Sequence, residues 1–173
     1  MMFRSSLFAA AAILSFSGTA VAADAPNDAQ IAHIAYTAGT LDVAAGKQAL
    51  AKSKNKAIRD FAQEMVRDHT AVNDKALALV KKLHVTPQDD PTSQALTKAA
   101  DTERAKLAKM SGAAFDREYI NNEVAYHKTV NGALEKTLIP SAKNVELKSL
   151  LQTGLKLFEE HQAHAEKVAK ELK

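Results

Sequence analysis

Apolar residues recur along this chain at intervals of three and four, the spacing of one helix face, and polar or proline-containing breaks separate the runs. The first run follows Asp24-Ala25-Pro26-Asn27 and puts Ile31, Ala35, Ala38, Ala45 and Ala49 on one face, widened by Ile34 and Leu41. Asn27 or Asp28 is placed to cap it. Gly39 and Gly46 inside the run each cost about 1 kcal/mol of helix propensity relative to Ala. Close approach of a neighbouring helix explains them. After Ser53-Lys54-Asn55-Lys56, a second helix carries the rows Ile58-Met65-Val72-Leu79 and Phe61/Ala62-His69-Ala76-Leu83. So short a connection predicts an antiparallel hairpin.

The sequence VTPQDDP over residues 85–91 is a stop. A charged helix over Thr92 to Met110 follows, with a thin apolar edge of Leu96, Leu107 and Met110, and reads as a crossover lying along the bundle. Ser111-Gly112 ends it. The third long helix sets Phe115, Tyr119, Tyr126 and Val130 beside Ile120, Val124, His127 and Leu134, and stops at Ile139-Pro140. The last starts near Ser141 and uses Leu147, Leu151, Phe158, His161 and Val168.

Two pieces of this pattern repeat. Met65-Val66-Arg67-Asp68-His69 matches Leu157-Phe158-Glu159-Glu160-His161, and Asp42-Val43-Ala44 with Lys47 matches Glu123-Val124-Ala125 with Lys128. Helices one and two thus read as a degenerate copy of three and four. A duplicated hairpin joined by a long crossover predicts an all-α, ferritin-like four-helix bundle with a short extra helix in the crossover.

Metal-binding bundles of that class take a Glu from one helix and a Glu-x-x-His pair from the other in each half. Here Asp42 and Glu123 fill the first role, and His69 and His161 the second. The residues three before those histidines are Val66 and Phe158, so the paired-ligand motif itself is missing. At about 1.5 Å per residue, Asp42, His69, Glu123 and His127 fall within roughly one turn of a common level, with His161 about two turns away. The candidate metal ligands are therefore Asp42, His69, Glu123, His127 and His161, and their nitrogen and oxygen donors suit zinc, iron, manganese or copper. The competing reading makes His69 and His161 core-edge histidines with one ring hydrogen bond each, and Asp68 and Glu160 solvated acids beside Lys or Arg. Asp42 and Glu123 interrupt apolar rows, and a buried carboxylate needs a partner such as Tyr119, Tyr126 or a histidine. His33, His84 and His164 fall outside any matched pair and are expected at the surface.

The N-terminus adds a destination. Arg4, the apolar run Leu7 to Phe16 and the triplet Ala20-Val21-Ala22 have the order of a cleavable secretory signal over residues 1–22, cleaved after Ala22. The run is shorter than the roughly 20 apolar residues of a membrane-spanning helix. Residues 23–173 then form one domain, exported to the periplasm or secreted. Cysteine is absent, so disulfides and thiolate chemistry are excluded. Acids and bases are interspersed at a net charge of +3 with 5% aromatics, which leaves neither basic stripe nor stacking platform for nucleic acid. No Ser-His-Asp order, phosphate loop or nucleotide fingerprint is present.

Several stretches carry a family likeness: Gly39-Thr40-Leu41-Asp42-Val43; Phe61-Ala62, Met65-Val66 and Asp68-His69; Phe115-Asp116 with Tyr119-Ile120 and then His127; and Leu138-Ile139-Pro140. On these residues 28–172 resemble the bacterial family called domain of unknown function 4142. The resemblance implies an exported ferritin-like bundle and supplies no activity. The expectation is a non-enzymatic exported binding or stress-related protein. The alternatives are a metal-binding bundle and an envelope-interaction module, with an envelope protein or a second copy of the chain as partner.

Overall fold

Side-chain caps fix where the helices begin. In the computed structural model, which describes residues 25–172, α1 spans Asp28–Lys52 and starts in a reciprocal capping box between Asn27 and Gln30. Asn55 caps α2, Lys56–Lys82, by accepting from the Ala57 and Ile58 amides. Asp90 and Ser93 form the box that opens α3, Pro91–Ala108. Helix α4, Gly112–Ala133, runs through a π turn, Leu134–Leu138, into the short α5, Ile139–Ser141. Asn144 then caps α6, Val145–Glu171. The segment read as a signal, residues 1–22, lies outside the described residues. Among the described residues no helix is long and apolar enough to cross a membrane.

The bundle is the duplicated hairpin with a crossover helix. Helices α1 and α2 run antiparallel, since Gly39 faces Asn73 at one end while Gly46 faces Ala62 and Val66 at the other. In the second hairpin Asn131 of α4 donates to the Phe158 carbonyl and to Gln162 of α6. The hairpins meet through α1 against α4, where Tyr126 Oη donates to the Ala38 carbonyl, and through α2 against α6, where Asp68 and Glu64 meet His161 and His164. Asp28 ties α1 to the start of α6 by accepting from the Lys143 and Asn144 amides at 2.8 and 2.9 Å.

Close packing of α1 on α2 is why α1 carries glycines. A Cβ at Gly46 would stand 2.9 Å from Val66 Cγ2 and 3.0 Å from the Ala62 carbonyl oxygen, and a backbone carbonyl cannot swing aside. Gly46→Ala should therefore lower stability by about 1–3 kcal/mol despite alanine's better helix propensity, as read by urea denaturation.

The apolar core is split. One cluster, around Ile58, Phe61, Met65, Phe115, Tyr119 and Ile120, fills one end of the bundle. A second, around Ile31, Leu134, Leu138, Leu147, Leu151 and Phe158, fills the other. Between them lie Asp42, His69, Glu123, His127 and His161, all buried.

Two expectations about the last helix are corrected. Helix α6 begins at Val145, four residues later than the expected Ser141, because Asn144 and not Ser141 supplies the cap. That later start takes about 6 Å, one turn, off the depth of His161. The π turn also shifts the end of α4 from which that depth is measured. His161 is accordingly not two turns from the other candidates but beside them, its ring centroid 5.2 Å from that of His69 and 5.6 Å from that of His127.

Candidate metal centre

Each long helix contributes to the polar layer. Asp42 comes from α1, His69 from α2, Glu123 and His127 from α4 and His161 from α6, and none is more than 3% exposed. His127 and Glu123 share a face because they are four residues apart on one helix. Phe158 stacks on the His69 ring at 4.5 Å between centroids and closes the layer on the side of the second cluster.

The carboxylates and imidazoles approach one another closely, but no imidazole N–H is aimed at a carboxylate oxygen within the layer. Asp42 Oδ2 is 3.2 Å from His69 Nε2 and 3.4 Å from His127 Nε2, yet none of these atoms has a hydrogen-bond partner. Asp42 Oδ1, Glu123 Oε2, His69 Nδ1 and His161 Nδ1 are likewise buried and unpartnered. Buried polar atoms are ordinarily satisfied, so this concentration at one depth requires a cause. One atom each from His69, His127 and His161 lies within 4.8 Å of the others, and the same holds for Asp42, Glu123 and His127.

Outer contacts set the tautomers. His127 Nδ1 donates to the Glu123 carbonyl at 3.0 Å, which leaves its Nε2 lone pair facing Asp42 and His69. His161 Nε2 donates to Asp68 Oδ2 at 3.1 Å, leaving Nδ1 as the free lone pair. Asp68 is itself held by Arg67 at 2.6 and 2.9 Å, and these hydrogen bonds keep its carboxyl below the usual range. A histidine that offers one nitrogen inward and donates the other to a carboxylate or carbonyl is the usual second-shell support of a metal ligand.

Burial also sets the charges. It raises the Asp42 carboxyl to about 8 and pushes Glu123 well up, with the Asp42 charge adding to the latter. It drives His69 well down, helped by His127 and His161, takes His127 to about 4 and lowers His161. Near neutral pH the layer holds uncharged imidazoles, which are the form that ligates, and largely protonated acids.

The five candidate ligands lie in one buried layer, as two groups of three that share His127. Other expectations change. Tyr126 bonds the Ala38 carbonyl, and the Tyr119 hydroxyl has no partner among the described residues, so histidines and not tyrosines stand next to Asp42. Asp68 pairs with an arginine as expected, Arg67, but is only partly solvated, because the antiparallel α2–α6 contact also turns it onto His161; Glu160 is exposed as expected. His84 is exposed, whereas His33 and His164 are half-buried beside Asp89 and Glu64. Sequence reasoning missed Asn73 and Asn131, buried next to the layer; polar residues on apolar rows were the available signal.

Fold and site together define a four-helix bundle with a buried carboxylate and histidine layer donated by all four long helices. A family model described as Domain of unknown function (DUF4142) matches residues 15–168, and the chain belongs to that family. No curated protein and no solved structure matches it.

Proposed function

We propose that this chain is an exported protein that binds a divalent first-row transition metal through Asp42, His69, Glu123, His127 and His161. The observation that carries the reading is the gathering of buried ligand atoms from four helices at one depth, with Asp42 Oδ2 3.2 and 3.4 Å from two imidazole nitrogens and Asp42 Oδ1, Glu123 Oε2, His69 Nδ1 and His161 Nδ1 unpartnered. Nitrogen and oxygen donors without sulfur suit zinc, iron, manganese or copper. A cation in that donor set supplies the positive charge that lets the two acids ionise. Export rests on Arg4, the apolar run Leu7 to Phe16 and Ala20-Val21-Ala22.

Because Asp42 and Glu123 hold protons that a cation must displace while the histidines are already neutral, binding should release between about one and two protons per ion. Affinity should rise about tenfold or more per pH unit from roughly 6 to 8. Calorimetric titration with zinc or manganese in buffers of different ionisation enthalpy measures both. Binding independent of pH, without proton release, would place the ion elsewhere.

A further inference from the structure

A centre this deeply buried needs a way in, and one cavity reaches it. A space of about 220 Å³ lies between α1, α3 and α4, with Asp42 and Glu123 in its wall and Glu103 and Arg104 of α3 beside them. The rest of the lining is largely apolar, including Leu41, Leu96 and Leu107. Asp42 and Glu123 border it with side chains 0% and 1% exposed and carry unpartnered oxygens, and the partly exposed Glu103 carries one in Oε1. The opposite face has an acidic group too, Glu64 and Asp68 next to His161. There the donors are taken: Asp68 by Arg67 and His161, Glu64 by His164. Under α3, Glu103 Oε2 lies 3.7 Å from Lys106 but its Oε1 is buried and unpartnered, whereas at the α2–α6 face no oxygen of Glu64 or Asp68 is both buried and unpartnered.

Resting on the metal reading above, we infer that the cavity under α3 is the port through which a divalent cation enters and leaves the centre, Glu103 being its first oxygen ligand and Asp42 with Glu123 its second. Successive carboxylates replace water of hydration one ligand at a time, as hard oxygen donors can. The last exchange, to imidazole nitrogen, happens inside the bundle. Arg104 sits at the same mouth with its Nη1 3.8 Å from Asp101, a weak pairing that leaves its charge opposing entry.

Stopped-flow mixing with cobalt(II), followed by its visible absorbance, and release into excess chelator give the two rates. Glu103→Gln should slow association and release alike, about five- to tenfold, with Kd unchanged within about twofold, because a transit ligand changes the barrier and not the end states. Ala100→Leu, which fills the cavity, should also slow both rates, Arg104→Gln should speed association, and Glu64→Gln should change neither. Unaltered rates in both Glu103→Gln and Ala100→Leu, or slowing by Glu64→Gln alone, would overturn the port. A wild-type protein that binds no cobalt, zinc or manganese overturns the metal reading itself, whereas tight binding with unaltered rates overturns the port alone.

Discussion

Replacing both His69 and His127 by alanine should abolish specific metal binding and the thermal stabilisation that accompanies it. At a metal concentration about a thousand times Kd, linkage adds roughly 4 kcal/mol to the native state. For a chain of this size that is a rise in Tm of about 8–16 °C. In the double variant the rise should fall below about 2 °C, because both three-residue donor groups lose His127 and one of them also loses His69. The metal-free double variant should stay folded, since three of the four removed nitrogens make no hydrogen bond and the fourth, His127 Nδ1, bonds only the Glu123 carbonyl of its own helix. Differential scanning fluorimetry with and without metal measures the rise, and His84→Ala, at an exposed position, serves as the unaffected control. An equal rise in the double variant would show that metal binds outside the layer.

The second large effect is an inversion of stability at Asp42. Burial holds its carboxyl at about 8 against an ordinary 3.8, so between those values the native state keeps a proton that the unfolded chain has lost. Stability therefore falls as pH rises across that window, the sign expected when the native state binds more protons. Asp42→Asn removes the titration at nearly constant shape and offers an amide donor to the unpartnered His69 and His127 Nε2. Metal-free Asp42→Asn should be more stable than wild type by about 1–3 kcal/mol near pH 8, with the difference shrinking towards pH 4. With metal present the order should reverse, because the variant has lost an anionic ligand. Urea denaturation at both pH values, with and without metal, reads all four conditions. A metal-free variant less stable than wild type at pH 8 would mean that Asp42 serves the fold rather than a ligand.

The expected inversion follows from where the layer sits. The bundle is supported by two apolar clusters, and the residues between them would hold it better if they were apolar or neutral. Under the proposed metal role, placing five ionisable side chains there should weaken the metal-free protein in exchange for donors already gathered at one depth.

Much of this was legible from residue spacing. The rows of Ile58, Phe61 and Met65 on α2 and of Phe115, Tyr119 and Ile120 on α4 mark buried faces, and Asp42 and Glu123 stand out because they interrupt such rows. What spacing could not supply is axial register between helices. Residue counting sets His161 about two turns from the other candidates because spacing reveals neither the cap at Asn144 nor the π turn at Leu134–Leu138. The partners of Tyr126 and Asp68 were equally out of reach, since both arise where α1 meets α4 and α2 meets α6, contacts separated widely in sequence. The repeated motif of acid followed by histidine joins two different roles: in α2 the acid supports the other helix's histidine, and in α6 it faces solvent.

The most direct test is the metal content of tag-free protein taken from its native compartment without chelator, measured by elemental analysis beside the His69→Ala, His127→Ala double variant. The layer described above predicts about one equivalent of a single transition metal in the wild type and none in the variant. A wild type that is metal-free, and whose melting is unmoved by added zinc, iron, manganese or copper, would contradict it.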